Sequence, residues 1–116
     1  MVALSEATAI AERAGLDVTK LLDLPSGGYA GSRLLDSRKQ RLIDKDYTVS
    51  GAAKFMMKDL EFARTEAERT GTTTPQLTTL QGVFAGLVAA GYGDNDHSVA
   101  QAYISSLSSA DDAPSH

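Results

Sequence analysis

The sequence predicts an all-α domain, a bundle of about six helices. Three observations carry this: apolar residues recur at three- and four-residue steps along most of the chain, strand-like alternation is hard to find, and capping residues or helix breakers separate the periodic stretches. A length of 116 residues leaves room for one small domain.

The elements follow in order. Val2, Ala3, Ala7, Ile10, Ala11 and Ala14 share a helical face, and Gly15 supplies the left-handed residue that stops the helix, with Leu16 closing its last turn. No capping residue precedes this helix. Its periodicity begins at Met1-Val2, as if the chain entered mid-helix, and alanines at 3, 7, 9, 11 and 14 suit close packing against another helix. Asp17 caps a short second helix carrying Val18, Leu21 and Leu22, which must end near Pro25 because proline disfavours helical geometry in the residue before it. Ser26-Gly27-Gly28 reads as loop. A third helix starts near Ser32, buries Leu34, Leu35, Leu42 and Ile43, and ends before Asp46-Tyr47.

The fourth helix runs from about Gly51 to Arg69, with Ala52, Met56, Leu60, Ala63 and Ala67 as one stripe flanked by Phe55, Met57 and Phe62. Thr70-Gly71 ends it. Thr74-Pro75 opens a fifth helix, since threonine caps orphan N–H groups and proline fits the first helical position. Leu77, Leu80, Val83, Phe84, Leu87 and Val88 form its apolar face, and Gly91 terminates it. Asp96 caps a sixth helix whose buried side is Val99, Ala102, Tyr103 and Leu107. The domain is thus placed at residues 1–107, and the small, polar, proline-containing tail of residues 108–116 reads as disordered.

Composition excludes several functions. Fifteen Asp and Glu against eleven Lys and Arg give a net charge of −4, whereas binding nucleic acid needs a concentrated surplus of cations. Without cysteine there is no disulfide, thiolate metal site or thiol nucleophile. The uncharged stretch from Gly71 to Gly93 is too rich in Thr, Gln and Gly to span a bilayer, and the N-terminus has no basic segment of a secretion signal, so the chain reads as cytoplasmic.

Candidate chemistry is sparse. A Ser-His-Asp hydrolase would have to use His97, because His116 lies in the tail. Asp94-Asn95-Asp96-His97-Ser98 superficially resembles a metal loop, but Val99 stands where a calcium loop needs glycine; an acidic helix N-cap accounts for it better. No metal site is expected. Gly27-Gly28-Tyr29-Ala30-Gly31-Ser32 is a glycine-rich loop opening a helix, better explained as a flexible link than as an anion site. Arg33, Arg38, Lys39, Arg41 and Lys45 are interleaved with Asp36, Asp44 and Asp46, the pattern of a solvated helix face. Lys58 lies in a dense apolar stretch with Lys54 one turn before it, an i,i+4 repulsion of a few tenths of a kcal/mol that Glu61 can offset. On spacing alone Lys58 is a surface lysine.

Several segments, taken in order, resemble one family. These are Leu4-Ser5-Glu6-Ala7, Ala11-Glu12-Arg13-Ala14-Gly15-Leu16, Gly27-Gly28-Tyr29-Ala30-Gly31-Ser32, Lys58-Asp59-Leu60 with Ala63, and Gly91-Tyr92-Gly93-Asp94-Asn95-Asp96-His97-Ser98. From Ala3 to Leu107 the chain resembles the C-terminal helical domain of the β-hydroxyacid dehydrogenases, the family of 3-hydroxyisobutyrate dehydrogenase and tartronate semialdehyde reductase. The resemblance implies an NAD- or NADP-dependent oxidoreductase in which a Rossmann domain and a catalytic lysine precede Met1, so that no catalytic residue lies in this chain and its substrate is a small β-hydroxyacid. It also implies that Lys58 reaches the cofactor from the helical side, with Asp59 in the same motif. Glu61 and Thr65 stand where the family motif commonly has Gly and Asp, and Gly51 replaces an aromatic near the substrate.

The leading expectation is therefore a dehydrogenase piece that closes the cofactor cleft and forms an oligomer interface, inactive by itself and self-associating as a homodimer. The alternative is a stand-alone helical dimerisation or interaction module. A hydrolase using His97 has little behind it.

Overall fold

A computed structural model of the chain describes residues 1–24 and 31–111. Residues 25–30, which include the first four of the expected glycine-rich loop 27–32, and residues 112–116 lie outside them. The described residues form α1 (Val2–Arg13), α2 (Val18–Asp23), α3 (Arg33–Asp44), α4 (Lys54–Thr70), α5 (Pro75–Ala89), a single 3-10 turn (His97–Val99) and α6 (Ala100–Asp111). Among them there is no strand, only an isolated antiparallel bridge between Ala52 and Asp96. The all-α reading holds.

Most helix ends follow the local chemistry read from the sequence. Asp17 accepts hydrogen bonds from the Thr19 and Lys20 N–H groups, and Ser32 accepts one from that of Leu35. Gly15 adopts φ +73°, and the Leu16 N–H returns to the Ala11 carbonyl at 2.8 Å, the closing bond of a Schellman end. No side chain caps α1. Thr74 likewise makes no side-chain cap, so proline at the first position, not the threonine hydroxyl, marks the start of α5.

Two helix pairs organise the molecule: α1 lies along α6, and α4 along α5, with α2 attached to α1, and α3 to α2 and the 3-10 turn. Ala53, Leu60, Phe84, Leu87, Val99 and Ala100 form the larger core, and Leu22, Leu35 and Leu42 a smaller one; Met1 packs against both. The radius of gyration is 15.3 Å, against about 13 Å for a compact domain of this length. Two small cores in place of one leave the molecule slab-like, with extents of 47 × 45 × 26 Å.

Several expectations need correction. The inward face of α1 is not the stripe containing Ile10, which is 67% exposed; it is Ser5, Thr8, Ala9 and Ala11. Small side chains bring α1 close to α6, and the polar ones are satisfied there: Thr8 donates to the Ser5 carbonyl and accepts from Gln101 of α6, whose amide oxygen accepts from the Tyr47 hydroxyl at 2.7 Å. Burial pushes that phenol up to about 12. Leu107 is 47% exposed rather than part of the core. Helix α6 also continues to Asp111, past the expected boundary at residue 107, because Ser and Ala at 108–110 do not break a helix and Pro114 comes only later.

Candidate functional site

Helix α4 begins three residues later than its periodicity suggests, because the backbone before it is engaged elsewhere. The N–H groups of Ser50 and Gly51 bond one oxygen of the Asp96 carboxylate, each at 3.1 Å. Ala53 N–H reaches the Asn95 carbonyl at 2.8 Å, and Lys54 N–H the Gly93 carbonyl at 2.9 Å. The loop 91–96 thus serves as the N-terminal cap of α4, bringing together two segments that carry the family resemblance. Gly93 sits where its backbone meets Val88 and the Lys54 side chain; a Cβ there would lie 3.4 Å from the Lys54 Cβ.

Asp96 is the hub of this junction and is fully buried. It accepts from the Ser50 hydroxyl at 2.9 Å and the Ser98 N–H at 3.1 Å, and pairs with the Arg38 Nε at 3.3 Å. Arg41 stands 3.8 Å away. Burial alone would raise this carboxyl, but the hydrogen bonds from Ser98, Gly51 and Ser50 outweigh burial and hold it well below the ordinary carboxylate range. Asp96 therefore caps the turn before α6, as expected, and also anchors the approach to α4. Arg38 and Arg41 depart from the expected solvated face: both turn inward to Asp96, while Lys39 pairs with Asp23 and Lys45 with Glu12. The signal was available, since Arg38 lies three residues after Leu35 and four before Leu42, on the buried side of α3. No group of three potential metal ligands occurs among the described residues.

From this anchored start α4 presents two opposite faces. Leu60, with Ala53 and Met56, points into the larger core. At 100° per residue, Phe55, Lys58 and Phe62 fall on the other side. Phe55 and Phe62 are 60% and 63% exposed, which corrects the expectation that they flank the buried stripe. Lys58 Nζ lies 5.7 Å from the centre of the Phe62 ring and has no carboxylate partner among the described residues. Asp59, next to it, is exposed. Lys54 differs from Lys58 in having a partner: its ammonium donates to Asp94 at 2.7 Å, which holds that carboxyl below its ordinary value. Glu61 does not offset the lysine pair as expected, because Arg64 engages it.

The unpaired ammonium between two exposed rings, at i, i+3 and i+7, fits a ligand bearing both anionic and planar parts. Its position follows from the Lys58-Asp59-Leu60 order itself. Once Leu60 is committed to the core, Lys58 is turned outward. His97 is not part of such a face; its ring contacts Arg38 of α3, and no Ser-His-Asp geometry involving it occurs among the described residues.

Known proteins resemble this chain along most of its length. A family model described as the NAD-binding domain of NADP-dependent 3-hydroxyisobutyrate dehydrogenase matches residues 1–104. A probable 3-hydroxyisobutyrate dehydrogenase-like protein of Arabidopsis thaliana is 35% identical over 94 residues, 81% of this chain and 28% of the relative. The 2-hydroxy-3-oxopropionate reductase of Escherichia coli is 31% identical over 96 residues, covering 83% of this chain and 33% of that enzyme. Among solved structures, the 3-hydroxyisobutyrate dehydrogenase of Salmonella typhimurium superposes with a TM-score of 0.80 at 30% identity, over 86% of this chain and 35% of that one. This chain spans about a third of the length of the relatives it matches.

Proposed function

Since this chain belongs to the 3-hydroxyisobutyrate dehydrogenase family through its NAD-binding helical domain, we propose that it is the helical part of an NAD- or NADP-dependent β-hydroxyacid dehydrogenase. In this reading it closes over a cofactor cleft whose Rossmann half, with the catalytic lysine, lies outside the chain. The observation that carries the reading is the outer face of α4, where Phe55, Lys58 and Phe62 stand opposite the Leu60 anchor.

The residues present fit such a cofactor. An ammonium with no carboxylate partner among the described residues complements a pyrophosphate or other anionic group, and two exposed aromatic rings suit planar ones. When bound, the nicotinamide supplies or accepts the hydride. This chain's part is to bind and orient. Lys58 is the cofactor contact, Asp59 lies beside it, and the loop 91–96 fixes the start of the helix that carries both. Closure of the cleft would exclude water around Lys58 and strengthen its contact relative to an exposed one. A small β-hydroxyacid is the proposed substrate. Gly51 stands where an aromatic is common in the family, with the His97 ring 3.6 Å from where a Cβ would lie, so the contact with the acid's side chain differs from the family's at this position.

Self-association is part of the proposal, with a change of surface. The inward small-residue face of α1 already packs on α6, and Phe84 and Leu87 of α5 are buried, so neither is open to a second copy. What supports a homodimer instead is the open groove of about 540 Å³ between α1 and α6, where Ile10 and Ile104 share the lining with Glu6 and Arg13.

The test is to join these residues to their upstream reading frame and assay reduction of NAD and NADP with 3-hydroxyisobutyrate and related β-hydroxyacids. Activity of the joined protein, with none in the 116-residue chain, is expected. Micromolar binding of NADH or NADPH to the chain alone would show that the site is misread, because the glycine turn that holds pyrophosphate in Rossmann domains is not in it. A joined protein that folds and self-associates without binding either cofactor would favour the interaction-module alternative.

A further inference from the structure

The junction before α4 contains a titratable group that the proposed function does not use. His97 is half-buried beneath the linker between α3 and α4. Its backbone N–H donates to the Gly51 carbonyl at 2.9 Å, and a Cβ on Gly51 would lie 3.6 Å from its ring. Its Nε2 is 3.2 Å from an Arg38 guanidinium nitrogen. The same nitrogen of Arg38 meets the Ser50 hydroxyl at 2.9 Å. A guanidinium only donates, so this contact requires Nε2 to be the accepting, unprotonated nitrogen of a neutral imidazole. A proton on Nε2 removes the acceptor and sets two cations against each other.

We propose that His97 is an acid-release latch: as a neutral acceptor it binds Arg38 and, through it, clamps the linker 45–53 to α3, and its protonation lets the linker and the start of α4 loosen. The charged groups facing the ring are Arg38 and Arg41 from α3, Asp96 next to it in sequence and, in the 116-residue chain only, the Met1 α-amino group, which becomes a neutral peptide nitrogen in the joined protein. Asp46 of the linker interacts with Arg41 and Asp96 instead. Asp96 favours the imidazolium, but it is already committed to Ser50, Gly51, Ser98 and Arg38. Burial, the largest cause, with Arg38 and Arg41 beside the ring, outweighs it and pushes His97 below its ordinary value. Because the folded value is lowered, the stability that His97 contributes is complete above its unfolded value near 6.5 and is lost as pH falls below it. Asp96 is lost only at far lower pH, which separates the two groups.

The chain has two histidines, so a proton NMR titration of the 116-residue protein reads both Cε1–H signals, with His116→Gln assigning them. His97 should titrate below 6.5, and hydrogen-exchange protection at Ser50, Gly51, Ala53 and Lys54 should fall along the same curve while that of α5 does not. Arg38→Leu should move the midpoint up toward the ordinary histidine value. If that variant fails to fold, His97→Gln, which keeps an acceptor but cannot titrate in this range, should abolish the pH step in linker protection. A His97 midpoint at or above 6.5, or linker protection that ignores the His97 curve or persists in its pH dependence in His97→Gln, would overturn the proposal.

Discussion

Replacing Asp96 by alanine should be among the most damaging single changes in this fold. Its carboxylate accepts from the N–H groups of Ser50, Gly51 and Ser98 and from the Ser50 hydroxyl, and it is the charge that meets Arg38 and Arg41. Individual hydrogen bonds to a charged group contribute about 1.5–3 kcal/mol, but they share one desolvation cost and do not add. The closer measure is the removal of one partner from a buried ion pair, about 3–5 kcal/mol, since the partially buried arginines are left without their carboxylate. A domain of this size has about 5–15 kcal/mol in all, so roughly a fifth of the stability or more is at stake. At roughly 4–8 °C per kcal/mol, the melting temperature should fall by more than about 12 °C. Urea unfolding of the 116-residue chain at pH 7, followed by far-ultraviolet circular dichroism, measures this directly. Asp96→Asn, which retains an oxygen but not the charge, should fall between the two. A loss below about 1 kcal/mol for Asp96→Ala would refute the view that this carboxylate holds the junction together.

Further outcomes follow from other contacts. Gly86→Ala would ordinarily stabilise a helix interior by about 0.5–1 kcal/mol, but here the new Cβ would overlap the Tyr103 hydroxyl oxygen. Thermal melts should instead show destabilisation of about 1–3 kcal/mol, eased when Tyr103→Phe is added; a stabilised Gly86→Ala would mean that α5 and α6 are less closely apposed than described. Phe62→Ser should change stability by no more than about 0.5 kcal/mol, because the ring is largely exposed, and a larger loss in urea titration would place it in the core after all. Equilibrium sedimentation should find a dimer that Ile10→Glu disrupts; a 12.2 kDa monomer at high concentration would remove the α1–α6 groove as its interface.

Much of the fold was legible because helix ends are local chemistry. Asp17, Ser32 and Gly15 act on neighbours two to five residues away, and that information sits in adjacent letters. What escaped was set at long range. The start of α4 is decided by carbonyls of Gly93 and Asn95, some forty residues on, and the inward turn of Arg38 and Arg41 by Asp96, more than fifty residues away. Periodicity placed Ala11 of α1 inward correctly but also weighted Ile10 as core, whereas a tight helix pair selects Ser5 and Thr8 for size and then satisfies their hydroxyls locally. On α4 the pattern placed Leu60 inward correctly, and the outward turn of Lys58 follows from it by helical geometry. Its role could not be read that way, because spacing shows where a side chain points and not what meets it.

The central claim is that the outer face of α4 meets the cofactor through Lys58, and the most direct measurement is kcat/KM of Lys58→Ala in the enzyme that includes the Rossmann half. A charge-assisted hydrogen bond in a closed, water-excluding cleft is worth about 1.5–3 kcal/mol, so the substitution should lower kcat/KM by about tenfold to 150-fold. Lys54→Ala is the control, because it removes the same charge one turn away, where the ammonium already serves Asp94. Loss confined to Lys58→Ala is the predicted result. Unchanged kinetics in Lys58→Ala, or equal losses from both lysines, would contradict the account: the first makes Lys58 an ordinary surface lysine, and the second makes the effect a general field rather than a contact.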